Sequence, residues 1–419
     1  MSGSTTGGTT PGTPVGGSGT GGTGTSSGPM IQHKPRSSVP MIAGIAVVIV
    51  VILVIGAGFA AGWFKSSSSG PTSCGVTTKG TLLGEGSTLV APLMDQWESS
   101  YWNGGVLTYD SVGSSSGIAA ITDKVADFGA SDAPLTASQN SSAPGLVTIP
   151  ESAGGVVPIY NLPGLGQLDF NGTVLAEMFD GTLTNWNNTP LQTLNPKADL
   201  PVQTIDPVYR TGGSGTTFIF TSFLSADSHA WNVTYGKGLD WPTNITVGSG
   251  ASGNGGVATT VSTTEYAIGY VDLNYALNSA SGVGIGAVEN PMGDFIRATV
   301  ANTESALVDS NLVLPAGGNA KAWYNVSALN APGASDYPIT SLTYMLVYQN
   351  LSVYMGAHAY TTTMAQNLVD FLTWAVTVGQ NYSALLFYAP LPQDVIVHDI
   401  QTIDSITFGG SSITVCVPT

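Results

Sequence analysis

Apolar and polar positions divide the chain into three regions of different character. Over residues 1–38 Gly, Thr and Ser dominate and no apolar period develops, so this stretch reads as a low-complexity tail that cannot bury a core. Residues 39–64 carry no charge and are dense in Ile, Val and Ala. That run exceeds the ~20 residues needed to cross ~30 Å of hydrocarbon, which predicts a retained transmembrane signal-anchor. Lys34 and Arg36 precede it and Lys65 follows, a slight bias toward an inside N-terminus. Residues 65–78 form a short polar stalk.

From residue 79 onward, short apolar runs alternate with helical spacing, the pattern of an α/β architecture. Thr81-Leu82-Leu83 predicts a strand and leads into Gly84-Glu85-Gly86-Ser87-Thr88. Leu93, Trp97 and Tyr101 then recur at helical spacing over Ala91–Trp102. Val106–Tyr109 reads as the next strand, and Gly113-Ser114-Ser115-Ser116-Gly117 opens a helix through Ile118, Ile121 and Val125. Asp127–Asp132 reads as a strand ending in a turn. A third Gly/Ser loop, Arg210-Thr211-Gly212-Gly213-Ser214-Gly215-Thr216, precedes the helix-like run Phe218, Ile219, Phe220, Phe223 and Leu224. In open α/β sheets such loops lie beyond the carboxyl ends of the strands, where ligands bind. Three helix N-termini converging there suit one anion.

Charge sharpens this picture. Beyond Lys65 the arginines are Arg210 and Arg297 alone. Arg210 offers a fork that fits a tetrahedral oxyanion, and the glycines beside it let backbone N–H groups come close. An ordinary capped turn gives the same local pattern. Of the 419 residues only 9% are charged, against about a quarter in ordinary soluble proteins, and the formal net charge is −16. No basic patch can be built from ten Lys and Arg, so nucleic acid is excluded as a partner. Few ionisable groups suit a surface that faces acid, and the composition is similar to that of exported proteins of acid-loving archaea. Two cysteines, Cys74 and Cys416, exclude metal clusters and CxxC motifs. They read as a disulfide in an oxidising compartment, or as two inert thiols. Eight Asn-x-Ser/Thr sequons (Asn140, Asn171, Asn187, Asn232, Asn244, Asn325, Asn350, Asn381) all follow the apolar run, in keeping with a globular part outside the cell.

The order GEGST (84–88), VGSSSG (112–117), DFGASDAPL (127–135) and YRTGGSGTTFIFTSFL (209–224) closely resembles the phosphate-binding proteins of Pst-type ABC importers. GTLTNWN (181–187), LNP (194–196), AIGYVDLNYA (267–276), YPITSLTYMLV (337–347), FLTWAVTVGQ (371–380) and YAPLP (388–392) follow in family order. Coverage runs from about residue 80 to about residue 405 and leaves residues 1–78 outside. The resemblance implies an α/β, two-lobed periplasmic-binding-protein-like fold of type II. Residues 79–158 plus 340–419 would form lobe 1 and residues 159–339 lobe 2. Two crossover strands, near Val156–Asn161 and Tyr337–Thr343, would be the hinge, and closure would trap phosphate. It further implies no enzymatic activity and no cofactor. The partners would be inorganic phosphate and the ABC permease with its ATPase, at a cell membrane reached through residues 39–64.

Carried over position by position, Thr88 and the backbone of Leu89 would contact phosphate from the first loop and Ser114 from the second. Arg210, Ser214, Gly215 and Thr216 would clamp it from the other lobe. Asp132 would set specificity, because protonated phosphate has a hydroxyl for a carboxylate to accept and sulfate has none. A buried mispaired polar group costs roughly 1–3 kcal/mol, more when charged. The sequence departs from the family at Gly212, where an acidic residue usually stands two positions after the arginine. It departs also at Leu89, usually phenylalanine.

Other readings compete. Gly113-Ser114-Ser115-Ser116-Gly117 fits the G-x-S-x-G nucleophile elbow, which would need one of His229, His358 or His398. A secreted phosphatase, a binder of another oxyanion, or a phosphate-sensing surface protein without transport would share parts of the pattern. Trp63, Trp97, Trp186, Trp231, Trp241 and Trp374 read as core and interface aromatics. Asn254-Gly255-Gly256 is either a glycine loop facing the cleft or a plain turn.

Overall fold

The computed structural model describes residues 80–101, 106–278, 282–315 and 320–416. The tail, the predicted membrane span 39–64, the stalk, Trp63, Trp102 and Cys74 lie outside them. Among the described residues no helix is long and apolar enough to cross a membrane.

Eight strands position the site: β1 (Thr81–Gly86), β2 (Val106–Ser111), β3 (Phe128–Ser131), β4 (Leu146–Tyr160), β5 (Asp206–Arg210), β6 (Ser249–Ala251), β7 (Ala267–Asp272) and β8 (Thr340–Tyr348). They form one mixed sheet in the order β2-β1-β3-β8-β4-β7-β5-β6, with Gly284–Ile285 as a ninth strand beside β4. β1 runs parallel to β2 and β3, and β5 runs parallel to β6 and β7. Parallel neighbours need helical crossovers, which cover the central strands on both faces, whereas the edge strand β2 alternates exposed and buried positions. β3 is buried at every position.

β4 joins the two halves. Of its first ten residues, Leu146 to Gly155, all but Glu151 pair with β8, and Val156 to Tyr160 pair with β7. The chain therefore passes from one lobe to the other inside a single strand, and the molecule is two-lobed. It returns just before β8, where Val156 N–H donates to Ile339 O at 3.0 Å. All fifteen β4 residues are buried. The β4/β8 register slips between Thr343, opposite Ser152, and Tyr344, opposite Pro150. Glu151 is the extra residue of this β-bulge.

Four helices begin at the loops of interest: α1 (Ala91–Ser100), α2 (Ser114–Thr122), α3 (Gly215–Asp227) and α4 (Gly253–Thr263). α3 buries Ile219, Phe220, Phe223 and Leu224, each roughly 1.5–3 kcal/mol of apolar burial. Phe220 stacks on Tyr270 with centroids 4.4 Å apart, and Phe179 and Trp241 pack on the same ring. The expected elements hold with small shifts at their ends: α1 stops at Ser100 and β2 continues to Ser111. Trp97, Trp186 and Trp231 are buried, and their indole N–H groups donate to Gly379 O, Tyr266 O and Gly236 O. Trp241 is buried too, and Trp374 packs edge-on against Trp97. Among the described residues there is no free cysteine, so Cys416 is not a free thiol.

Candidate functional site

The loops that follow β1, β2, β3, β5 and β6 meet where the two lobes face one another. Each leaves a strand at its carboxyl end and leads into a helix, the one after β3 into the short helix Ala137–Ser142. Ser214 is the N-cap of α3, its hydroxyl accepting from Thr217 N–H at 3.2 Å. Gly215 starts that helix in close contact with lobe 1. A methyl group there would come within 2.6 Å of Asp132 Cβ and of Ser114 Oγ, so the approach requires glycine.

Direct bonds cross the cleft. Gly215 N–H donates to Ser114 Oγ at 3.0 Å, and Ser115 N–H donates to Gly213 O at 3.2 Å. Asn254, at the start of α4, donates from both its backbone N–H (3.2 Å) and its amide (3.0 Å) to Thr88 Oγ1. The same amide reaches Thr216 Oγ1 at 3.1 Å, and Arg210 Nη1 reaches that oxygen at 3.5 Å. Thr88 and Thr216 thus receive hydrogens from nitrogen donors, and each keeps its own hydroxyl hydrogen to give elsewhere. Both are buried donors in need of an acceptor.

Arg210 is 3% exposed. Its backbone N–H donates to Tyr270 Oη at 3.2 Å, which ties the end of β5 to the aromatic stack, and Tyr270 also bonds Thr217 Oγ1 at 2.8 Å. Its Nε has no partner. Among the described residues the single ion pair within 4.0 Å is His398–Asp399, so no carboxylate bridges Arg210. Burial lowers its pKa from the usual arginine value. A desolvated guanidinium with an idle N–H is costly on its own and is stabilised by an anion.

Asp132 stands opposite, buried, with its carboxyl pushed up to about 6 by burial. Ser87 Oγ donates to its Oδ1 at 2.5 Å and Thr343 Oγ1 at 2.9 Å, and these bonds with the Arg210 charge hold the shift in check. Its backbone N–H donates to Ser114 Oγ at 3.3 Å. Between the jaws lies a cavity of about 280 Å³ whose lining includes Thr88, Arg210, Gly212, Asn254 and Tyr275.

The structure places Thr88, Thr216 and Arg210 in one hydrogen-bonded group around Asn254, and Asp132 and Gly215 in a second around Ser114, with Ser214 capping the helix beside them. Leu89 differs from expectation: its N–H is given to Ser87 Oγ at 3.0 Å rather than left for a ligand, because that hydroxyl caps the turn while donating to Asp132. Three site residues had no role in the sequence reading, and a fourth, Asn254, was named there only within a glycine loop. Ser87 and Thr343 are the donors to Asp132, Asn254 bridges the lobes, and Glu151 lies behind Thr343. An uncommon acid inside the apolar run 146–160 was the available signal for Glu151. As for the nucleophile-elbow reading, His398 engages Asp399 and Pro315 O through its two ring nitrogens.

Residues 72–376 match the model of a PBP superfamily domain. The chain is 33% identical over 336 residues to the phosphate-binding protein PstS of Xylella fastidiosa, covering 79% of this chain and 86% of that one. It is 34% identical over 314 residues to the phosphate-binding protein PstS of Methanocaldococcus jannaschii, covering 72% and 79%. Among solved structures, a high affinity periplasmic phosphate-binding protein (PfluDING) with phosphate bound superposes with a TM-score of 0.59 at 21% identity, over 76% of this chain and 92% of that one.

Proposed function

This chain belongs to the PBP superfamily and, within it, to the phosphate-binding PstS proteins, and from that premise we propose that it captures inorganic phosphate between its lobes outside the cytoplasm and delivers it to an ABC permease for import. It is a binding protein rather than an enzyme. The observation that carries this reading is Arg210: a buried cation with no carboxylate bridge and an idle Nε–H, set across the cleft from an acceptor, Asp132. In this reading Arg210, Thr88, Thr216, Ser114 and the N-terminus of α3 with Ser214 and Gly215 donate to the ligand oxygens. The Leu89 N–H contributes only if its turn opens. The lobes divide near residues 158 and 340, with β4 and the start of β8 as the hinge.

Calorimetric titration of the chain with phosphate, sulfate and arsenate tests the proposal. Phosphate should bind, sulfate should not, and the absence of phosphate binding would sink it. In Asp132→Asn the amide can donate to a fully ionised oxyanion. Sulfate should then bind at least about tenfold more tightly than to the wild type.

Gly212 supplies a second expected result. It sits at φ +73° with nothing within 4 Å of a would-be Cβ, so aspartate, which tolerates the left-handed region better than most residues, fits. Gly212→Asp gives Arg210 the local partner that the family usually has. We expect it to weaken monoanionic phosphate in acid by roughly threefold to tenfold. Tighter binding at low pH would contradict this.

Membrane attachment through residues 39–64 rests on their uncharged run, and it would leave the lobes on the outer surface. A Cys74–Cys416 disulfide would tie the two ends of the globular part together, in keeping with Cys416 not being free. Asn187, Asn232, Asn244, Asn325, Asn350 and Asn381 are exposed and open to glycosylation.

A further inference from the structure

Glu151 is the residue that the β4/β8 bulge skips. A bulge takes one side chain out of the strand's alternation. Here it brings a carboxyl group to Thr343, whose hydroxyl oxygen lies 3.0 Å from Glu151 Oε1 and 2.9 Å from Asp132 Oδ1. Thr343 has one hydrogen and cannot donate to both. Were both acids ionised, one of these short contacts would set lone pair against lone pair. The other oxygen, Glu151 Oε2, is buried with no partner. A neutral carboxyl tolerates an unpartnered carbonyl oxygen far better than a carboxylate does. The hydrogens are therefore consistent in one arrangement: Glu151 O–H donates to Thr343, and Thr343 donates to Asp132. The negative charge then rests on Asp132, which has Ser87 as a second donor and the Arg210 charge acting on it.

We propose that Glu151 is a buried proton holder, a positioning residue that aims the Thr343 hydroxyl at Asp132 and so keeps Asp132 an acceptor for the P–OH of protonated phosphate. The inference rests on the phosphate-binding reading and names what fixes its specificity. Burial drives the Glu151 carboxyl up to about 8, above Asp132 at about 6, in the same sense as the geometry. The titratable groups around the pair are few. Asp132 at the end of β3 acts on Glu151, and Glu151 in turn raises Tyr109 on β2. Arg210 on β5, Asp272 on β7, and Tyr344 and Tyr388 act with Asp132. The 378–382 segment contributes the uncharged Gln380, whose amide donates to Glu151 O at 2.8 Å.

The test is phosphate affinity of the full chain from about pH 5 to about pH 9.5, across the carboxyl shifts, for wild type and Glu151→Gln. The ratio of the two affinities cancels phosphate's own titration. It should be near one at about pH 6 and should fall about tenfold by about pH 9, where ionised Glu151 takes the Thr343 hydrogen and adds charge near the anion. Thr343→Val, which deprives Asp132 of a donor, should cut phosphate-over-sulfate discrimination about tenfold at about pH 5. A flat ratio, or unchanged discrimination in Thr343→Val, overturns the role of Glu151 while leaving phosphate binding intact. A wild type that binds no phosphate at any pH overturns the underlying reading instead. Should Glu151→Gln not fold, infrared spectra of the wild type with carboxyl-labelled glutamate read the same state. A protonated glutamate band at about pH 6 that fades by about pH 9 supports the proposal, and its absence at about pH 6 overturns it.

Discussion

Replacing Arg210 with alanine should lower phosphate affinity by roughly two to three orders of magnitude and leave the ligand-free protein as stable as before, or more so. Truncating one side of a buried, hydrogen-bonded charge pair costs about 2–5 kcal/mol, which sets that range. The second half of the expectation separates this site from a structural ion pair. Arg210 has no carboxylate bridge to lose, its Nε is idle, and its protein bonds are a 3.5 Å contact to Thr216 and a backbone bond to Tyr270 that alanine keeps. Its desolvation works against folding until an anion arrives. Saturating phosphate should raise the melting temperature of the wild type by mass action and should barely move that of Arg210→Ala. Arg210→Lys should fall between them, since it keeps the charge but loses the fork. A variant that binds phosphate within about threefold of wild type, or that melts far below it without ligand, would show that Arg210 serves the fold instead.

Arg210 was legible in the sequence because its signal is local. A cation in a charge-poor chain, glycines beside it and a helix pattern after it are all read within a dozen positions. Ser114 was legible in its own Gly/Ser loop, and Asp132 only through the family resemblance of DFGASDAPL (127–135). The partners of Asp132 were not. Thr343 lies 211 positions away, and Ser87, within the GEGST motif, is 45 away. What joins them is strand order, β3 beside β8 and β8 beside β4, and sequence period says nothing about that order. The bulge at Glu151 is harder still, because one unpaired residue in a fifteen-residue strand leaves no mark on the apolar pattern. Asn254 was seen only as part of a glycine loop with two readings. Its bonds to Thr88 and Thr216 decide between them, since they place it at the cleft. Leu89 shows the converse case. The motif was matched, but its N–H is used inside its own turn by Ser87.

The four large carboxyl shifts lead to the second strong expectation, that the protein is most stable in acid. Burial pushes Asp132 up to about 6, Asp272 and Asp399 each up to about 7, and Glu151 up to about 8. Every resolved shift among the described Asp and Glu residues is upward. In the unfolded chain these four groups ionise near pH 4, so between about pH 4 and about pH 8 the folded state holds more protons than the unfolded one. Stability then falls as pH rises across that window, by up to about 1.4 kcal/mol per pH unit for each differing proton. The contribution is fully present below the unfolded values and is lost as pH passes the folded ones. His398, pushed down by burial but raised on balance by its contacts with Asp399 and Pro315 O, acts in the same direction. The melting temperature should therefore be higher at about pH 5 than at about pH 8, by on the order of 10 °C. Repulsion within a chain of net charge −16 has the same sign, so single variants must isolate the buried groups. Asp399 is buried, with an unpartnered Oδ2, in the helix spanning residues 393–404, and the hydrogen bonds of the cleft do not include it. Asp399→Asn should flatten the pH profile of melting and leave phosphate affinity unchanged. Glu151→Gln should flatten it too, while altering the affinity profile. A melting temperature that is level or rising from about pH 5 to about pH 8 would mean that these carboxyls are ionised in the folded state. Glu151 would then hold no proton, and the hydrogen arrangement at Thr343 would fall with it.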